Sequence, residues 1–185
     1  DYLSAADYLQ RPGHQADVWY IGVYDPTNAL GGFTLNTREL QAAPLSENTP
    51  VPRTDVEAKR WEFFKVQLPA SVDGVGPILG WDVRLTDVTG GLPRVIIRRE
   101  GFPASGSTTV STTATNWPSG GQWAATLDWT RRQSAADGTN ETGRILAMGM
   151  GRPLEPATYY IGVIDETTTN RSSYNILSRW IGAGM

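Results

Sequence analysis

Trp81, Val83 and Leu85 alternate with Asp82, Arg84 and Thr86, and a period of two belongs to an extended strand with one buried and one wetted face. The same beat runs through Phe64, Val66 and Leu68, and through Trp123, Ala125, Leu127 and Trp129. Val95-Ile96-Ile97 is a short apolar run suited to a central strand, and further strands are predicted near Ile145 to Met150, Thr158 to Ile164 and Tyr174 to Ser178. Pro69, Asp73-Gly74, Gly90-Gly91 and Gly101-Phe102-Pro103 break these runs with turn chemistry, and Gln133 to Gly143 reads as a polar loop. The threonine-rich stretch after Pro103 reads as strand or loop. Eight or so strands in about 125 residues predict an all-β sandwich. Asp1 to Leu9 is the one segment with helical character, about two turns, which is marginal without tertiary support.

A second signal bears on organisation. Trp19-Tyr20-Ile21-Gly22-Val23-Tyr24-Asp25 returns as Tyr159-Tyr160-Ile161-Gly162-Val163-Ile164-Asp165, 140 positions later, with five identities. Phe33-Thr34-Leu35-Asn36-Thr37-Arg38 then matches Tyr174-Asn175-Ile176-Leu177-Ser178-Arg179 once one extra loop residue is allowed. Each copy reads as strand, Asx-rich turn, strand. A period of 140 in 185 residues leaves one whole unit and the tail of another. The expected division is residues 1–41 as the closing strands of a preceding repeat, 42–56 as a linker carrying Pro44, Pro50 and Pro52, and 57–183 as a complete sandwich. A lone hairpin over Val18 to Tyr24 and Phe33 to Arg38 is marginally stable, so it is expected to dock on the sandwich or on another chain.

Charge and composition remove several functions. Sixteen Lys and Arg against nineteen Asp and Glu give a net charge of -3 with no basic run, so nucleic acid is not an expected partner. No stretch approaches the roughly 18 apolar residues of a bilayer span, and no membrane insertion is expected. The absence of cysteine removes disulfides, thiolate zinc sites and cysteine nucleophiles. No glycine-rich phosphate cradle precedes a helix.

Trp61-x-Phe63-Phe64-x-Val66-x-Leu68, then Trp81-x-Val83-x-Leu85, then Leu154-Glu155-Pro156-Ala157-Thr158-Tyr159-Tyr160-Ile161-Gly162-Val163 occur in that order. This series resembles the bacterial pre-peptidase C-terminal domain across Glu57 to Arg179, with Asp1 to Arg38 matching only the family's closing portion. The resemblance implies a jelly-roll or immunoglobulin-like sandwich, here with an extra N-terminal strand pair. It also implies a non-catalytic accessory module of a secreted or cell-surface protein, acting in spacing, attachment or secretion beside neighbouring repeats. The longer, tryptophan-rich stretch from Pro103 to Arg144 departs from the family pattern, so no binding residues carry over there.

The residues themselves leave few catalytic options. The only histidine, His14, sits in a turn-like Arg-Pro-Gly-His-Gln segment and reads as an exposed loop residue rather than a triad base. Asp82 and Asp128 form a nominal carboxylate pair, but both fall on the polar face of alternating strands, which reads as solvated surface. Asp137, Asn140 and Glu141 gather oxygen donors as candidate calcium ligands, calcium being the one cofactor weighed, although the same letters spell a polar turn. Asp25 and Asp165, at equivalent places after the repeated strand, read equally as cation ligands or as turn caps.

Of seven tryptophans, Trp61, Trp81, Trp123 and Trp129 read as core by phase. Trp117 lies in Asn116-Trp117-Pro118-Ser119-Gly120-Gly121-Gln122, which is turn chemistry. With Asn116 and Gln122 as hydrogen-bonding neighbours it is a candidate platform for a polysaccharide or cell-surface glycan, making the chain a carbohydrate-binding module of a secreted hydrolase. The competing reading folds Trp117 back to cap an open end of the sandwich.

Overall fold

Alternating apolar residues here do what the pattern asks: they zip into two facing sheets. A computed structural model describes residues 22, 34–35, 40–73, 76–103, 117–124, 143–148 (backbone only), 154–165 and 169–182. The strands are β1 (Ala43–Pro44), β2 (Val51–Val56), β3 (Glu62–Leu68), β4 (Ser71–Val72), β5 (Gly76–Thr89), β6 (Arg94–Arg99), β7 (Gln122–Ala124), β8 (Gly143–Met148), β9 (Ala157–Ile164) and β10 (Ser172–Gly182). Among the described residues there is no helix. The protein is an all-β sandwich.

The first sheet runs β1-β3-β9-β6-β7, antiparallel except for the short parallel pair β1 with β3. The second runs β2-β10-β5, with β4 and β8 also pairing with β5. The inner faces bring Phe64, Val66 and Leu68 of β3, Tyr159, Ile161 and Val163 of β9, and Val95 and Ile97 of β6 against Ile78, Trp81, Val83 and Leu85 of β5 and Tyr174 and Ile176 of β10. Trp81 and Tyr159, both without solvent exposure, meet across the sheets with ring centroids 5.2 Å apart. Their polar tips are satisfied: Trp81 Nε1 donates to Ser178 Oγ at 2.8 Å and the Tyr159 hydroxyl to the Glu155 carbonyl at 3.0 Å. Each fully buried leucine or isoleucine truncated to alanine here is expected to cost about 2–5 kcal/mol.

Irregularities in the ladders set the facing of β5. Between Ile181 opposite Gly80 and Gly182 opposite Ile78, Leu79 is an extra residue. This bulge lets Ile78 and Trp81, three apart, both point inward. The ladders on either side of the Ser172–Asn175 stretch of β10 each take one extra residue, in β2 and in β5, where Asp55 (φ 56°) and Asp87 (φ 53°) adopt left-handed backbone. Aspartate tolerates that region better than most side chains.

Three expectations change. The stretch read as linker, 42–56, carries β1 and β2, which pair with β3 and β10. Its prolines pointed away from strand, yet Pro44 and Pro52 sit on sheet edges, where a missing N–H costs little. Trp61 is not in the central core; it packs half-buried against a second cluster of Ile96, Ala124 and Ile164. Asp82 lies on the outer face as expected but is 1% exposed, not solvated, because Arg84 and Arg179 close over its carboxylate. His14, Asp25, Asp128, Trp129 and Asp1 to Leu9 lie outside the described residues, as does the N-terminal hairpin apart from Gly22, Thr34 and Leu35.

Candidate functional site

Pairing of β1 with β3 brings Leu40 to Pro44 alongside the first residues of β3. A cleft of about 420 Å³ opens between them, lined by Leu40 to Pro44, Arg53, and Arg60 to Phe64. The chain reaches it by crossing from β2 in one sheet to β3 in the other through Glu57 to Trp61. That crossing is tight: Lys59 adopts φ 60° and its N–H donates to the Asp165 carbonyl at 2.8 Å.

Strand alternation then divides the β3 side chains. Trp61 and Phe63 go to the outer face and stack, centroids 5.5 Å apart and rings 7° from parallel. Phe102 and Tyr160 continue the aromatic row at 4.9 and 4.8 Å. The six-membered ring of Trp61 lies over Gly162, where a Cβ would fall 2.5 Å from Cζ3. This close approach is a physical reason for glycine in that strand.

Glu62 points instead between the sheets, at their open end. Arg53 grips it with two bonds, Nε to Oε2 at 2.6 Å and Nη2 to Oε1 at 2.5 Å, and the Tyr174 hydroxyl donates to Oε2 at 3.0 Å. Burial alone would raise the Glu62 pKa, but the bonds and charge of Arg53, the Tyr174 hydroxyl and the charge of Arg60 together hold it below the ordinary glutamate value. The Tyr174 phenol is pushed up, first by burial and then by the Glu62 charge and hydrogen bond. Both Glu62 oxygens are thus engaged, so the carboxylate acts as a clasp between sheets rather than as a free base. Arg60 stands differently, with its side chain 52% exposed and its nearest acid, Glu57, 4.0 Å away. The cleft therefore offers an aromatic wall, a gripped arginine and a loosely held one. Such a surface suits an anion carried on a flat or cyclic body.

Trp117 sits elsewhere. Its ring is 7% exposed and belongs to the central core, edge-on to Tyr159 at 5.4 Å and 6.1 Å from Trp123. Nε1 donates to the Gly121 carbonyl at 2.7 Å, and the Trp117 carbonyl accepts from Arg99 Nη1 at 2.5 Å. The turn Pro118 to Gly121, with Gly120 at φ 73°, folds the indole inward. Placed so, the ring plugs the end of the sandwich and has no open face for a sugar. Gln122 is also buried, at 3% exposure. Asn116, Asp137, Asn140 and Glu141 lie outside the described residues. Asp165 is 4% exposed and accepts the Leu92 N–H at 2.6 Å, tying the end of β9 to the Gly90-Gly91 turn. Among the described residues no three metal-ligating acids or histidines come together.

Sequence reasoning passed over Arg53, Arg60 and Trp61 as site residues. The available signal was the doubled phase of β3: Trp61 and Phe63 alternate in one register while Phe64, Val66 and Leu68 alternate in the other. A strand apolar on both faces has something on each. Among the described residues no helix is long and apolar enough to cross a membrane. Comparison with family models, curated proteins and solved structures finds no match to this chain.

Proposed function

We propose that the chain is a non-catalytic attachment and spacing module, one link in a repeat-containing secreted or surface protein. The observation that carries the reading is the repeated strand. Its second copy, Tyr159 to Asp165, covers Tyr159 to Ile164 of β9 and the residue just after it, and β9 pairs with β3 on one side and β6 on the other. A motif whose second copy forms the middle strand of a sheet supports an architectural role for that strand. The resemblance to the pre-peptidase C-terminal domain points the same way.

The arrival of the chain supports a spacing role. Residues entering from the N-terminal side are taken up by both sheets, β1 by the first and β2 by the second. A junction paired over two sheets transmits orientation better than a free proline-rich tether. The polar groups of the cleft favour holding over turnover, with Glu62 locked by Arg53 and Tyr174.

The test is sedimentation of the purified chain with a panel of insoluble neutral and acidic polysaccharides, with the supernatant assayed for released sugars and peptides. Sedimentation with at least one polymer and no released product is the expected result. Turnover by the chain, or failure to sediment with any polymer, overturns the attachment reading.

A further inference from the structure

The cleft beside β3 carries a charge that runs against the protein as a whole. The chain has a net charge of -3, yet the ionisable groups lining the cleft are two guanidiniums, Arg53 and Arg60, and one carboxylate, Glu62. Glu62 is already taken by Arg53 and Tyr174 and is 12% exposed at its side chain, so little of its charge faces outward. Arg53 holds it through Nε and Nη2, which leaves Nη1 out of the pair, and the Arg53 side chain is 42% exposed. Arg60 has only the 4.0 Å approach of Glu57, a distance at which no strong hydrogen bond forms. Both arginines therefore retain donors for an incoming anion.

The rest of the lining restricts what bears that anion. Trp61 and Phe63 bring aromatic side chains to the lining, and Leu40 to Pro44, of which Ala43 and Pro44 are in β1, line the facing side. Aromatic surface beside a cation is the pairing that binds a sugar ring with a carboxylate. At about 420 Å³ the cleft has room for one or two such rings. We infer that it is a subsite for a carboxylated sugar of an acidic polysaccharide, with Arg60 and Arg53 on the carboxylate and Trp61 on the ring. The inference rests on the attachment reading and names its ligand class. It also moves carbohydrate recognition from Trp117, which is buried, to the opposite end of the β3 region.

The experiment titrates the full chain with tri-galacturonate, with its methyl-esterified form and with a neutral galactose trimer, by calorimetry and by amide chemical shifts. The acidic trimer is expected to bind saturably and to move amides of residues 40–44 and 60–63. The ester and the neutral trimer are expected to bind roughly tenfold more weakly or not at all. Arg60→Gln is expected to weaken the acidic trimer by a similar factor with only a small drop in the melting midpoint, since the side chain is half exposed and its charge is the smallest of the causes acting on Glu62. Equal binding of acid and ester, full binding by Arg60→Gln, or no binding of the acid overturns the subsite. Should Arg60→Gln still sediment with insoluble polysaccharide as the parent does, the cleft inference falls and attachment stands. Loss of sedimentation by parent and variant alike brings down both.

Discussion

The ring of Trp61 rests on Gly162, so close that a Cβ there would lie 2.5 Å from Cζ3 and 2.9 Å from Cε3 of the indole, and 3.1 Å from Pro103 Cγ. Gly162 stands opposite Phe63 on one neighbour and Ile96 on the other. Its missing side chain thus makes room for a cross-strand aromatic cover, the means by which a sheet tolerates glycine in mid-strand. Gly162→Ala forces this cover to shift and is expected to destabilise by about 1–3 kcal/mol in denaturant unfolding. Gly22, the equivalent glycine in the first copy, meets nothing within 4 Å. Gly22→Ala is therefore expected to stay within about 0.5 kcal/mol of the parent.

That pair also shows how far the sequence can be read. The five identities between copies were visible as letters, and alternation around Trp81, Phe64 and Tyr159 was enough for an all-β sandwich, because period two leaves little else for a helix-poor chain. The seat of Trp61 was not visible. It depends on which strand neighbours β9, and a pattern within one strand says nothing of its neighbours. Trp117 was ambiguous for a related reason: Pro118 and Gly120 announce a turn, but whether the indole goes in or out is set by the hole left at the sandwich end. Arg53 was hidden by prolines that read as linker. Edge strands accept proline, so the composition of a tether and of an edge strand overlap.

Trp117 offers a direct contrast between plug and platform. A surface platform loses binding on truncation and keeps its fold. The indole is instead enclosed by Tyr159 and Trp123 and hydrogen-bonded to Gly121. Trp117→Ala is expected to destabilise by about 3–5 kcal/mol, measured as a lower denaturation midpoint, through the cavity left behind. A variant as stable as the parent would contradict the core placement.

Lys59 turns the chain from one sheet to the other at φ 60°, a conformation that costs a residue with a Cβ about 1–2 kcal/mol. Its backbone, through the bond to the Asp165 carbonyl, carries the structural role. Lys59→Gly keeps that bond and removes the steric cost, against some loss from the more flexible unfolded chain. The expected net is a gain of about 0.5–1 kcal/mol, seen as a higher melting midpoint. Lys59→Val, with a branched Cβ in the same region, is expected to move it the other way.

The clasp of Glu62 makes stability depend on acid. Burial works to raise its pKa, and the Arg53 bonds, the Tyr174 hydroxyl and the Arg60 charge more than offset that, so the folded value lies below the unfolded one. A carboxyl depressed on folding contributes its full stability above the unfolded value, near 4.3 for glutamate (roughly), and loses it as pH falls through the lower folded value. Glu62→Gln removes that dependence. At neutral pH the variant is expected to be less stable by about 1–2 kcal/mol, a figure kept small because Arg53 is 42% exposed and solvent screens the pair. The gap between parent and variant should narrow as pH falls below the ordinary glutamate range, where the parent's own clasp is protonated. High salt should narrow it only in part, since Tyr174 adds a hydrogen bond that ionic screening does not remove. A gap that stays constant from neutral pH through the acid limb would mean that Glu62 acts by shape alone.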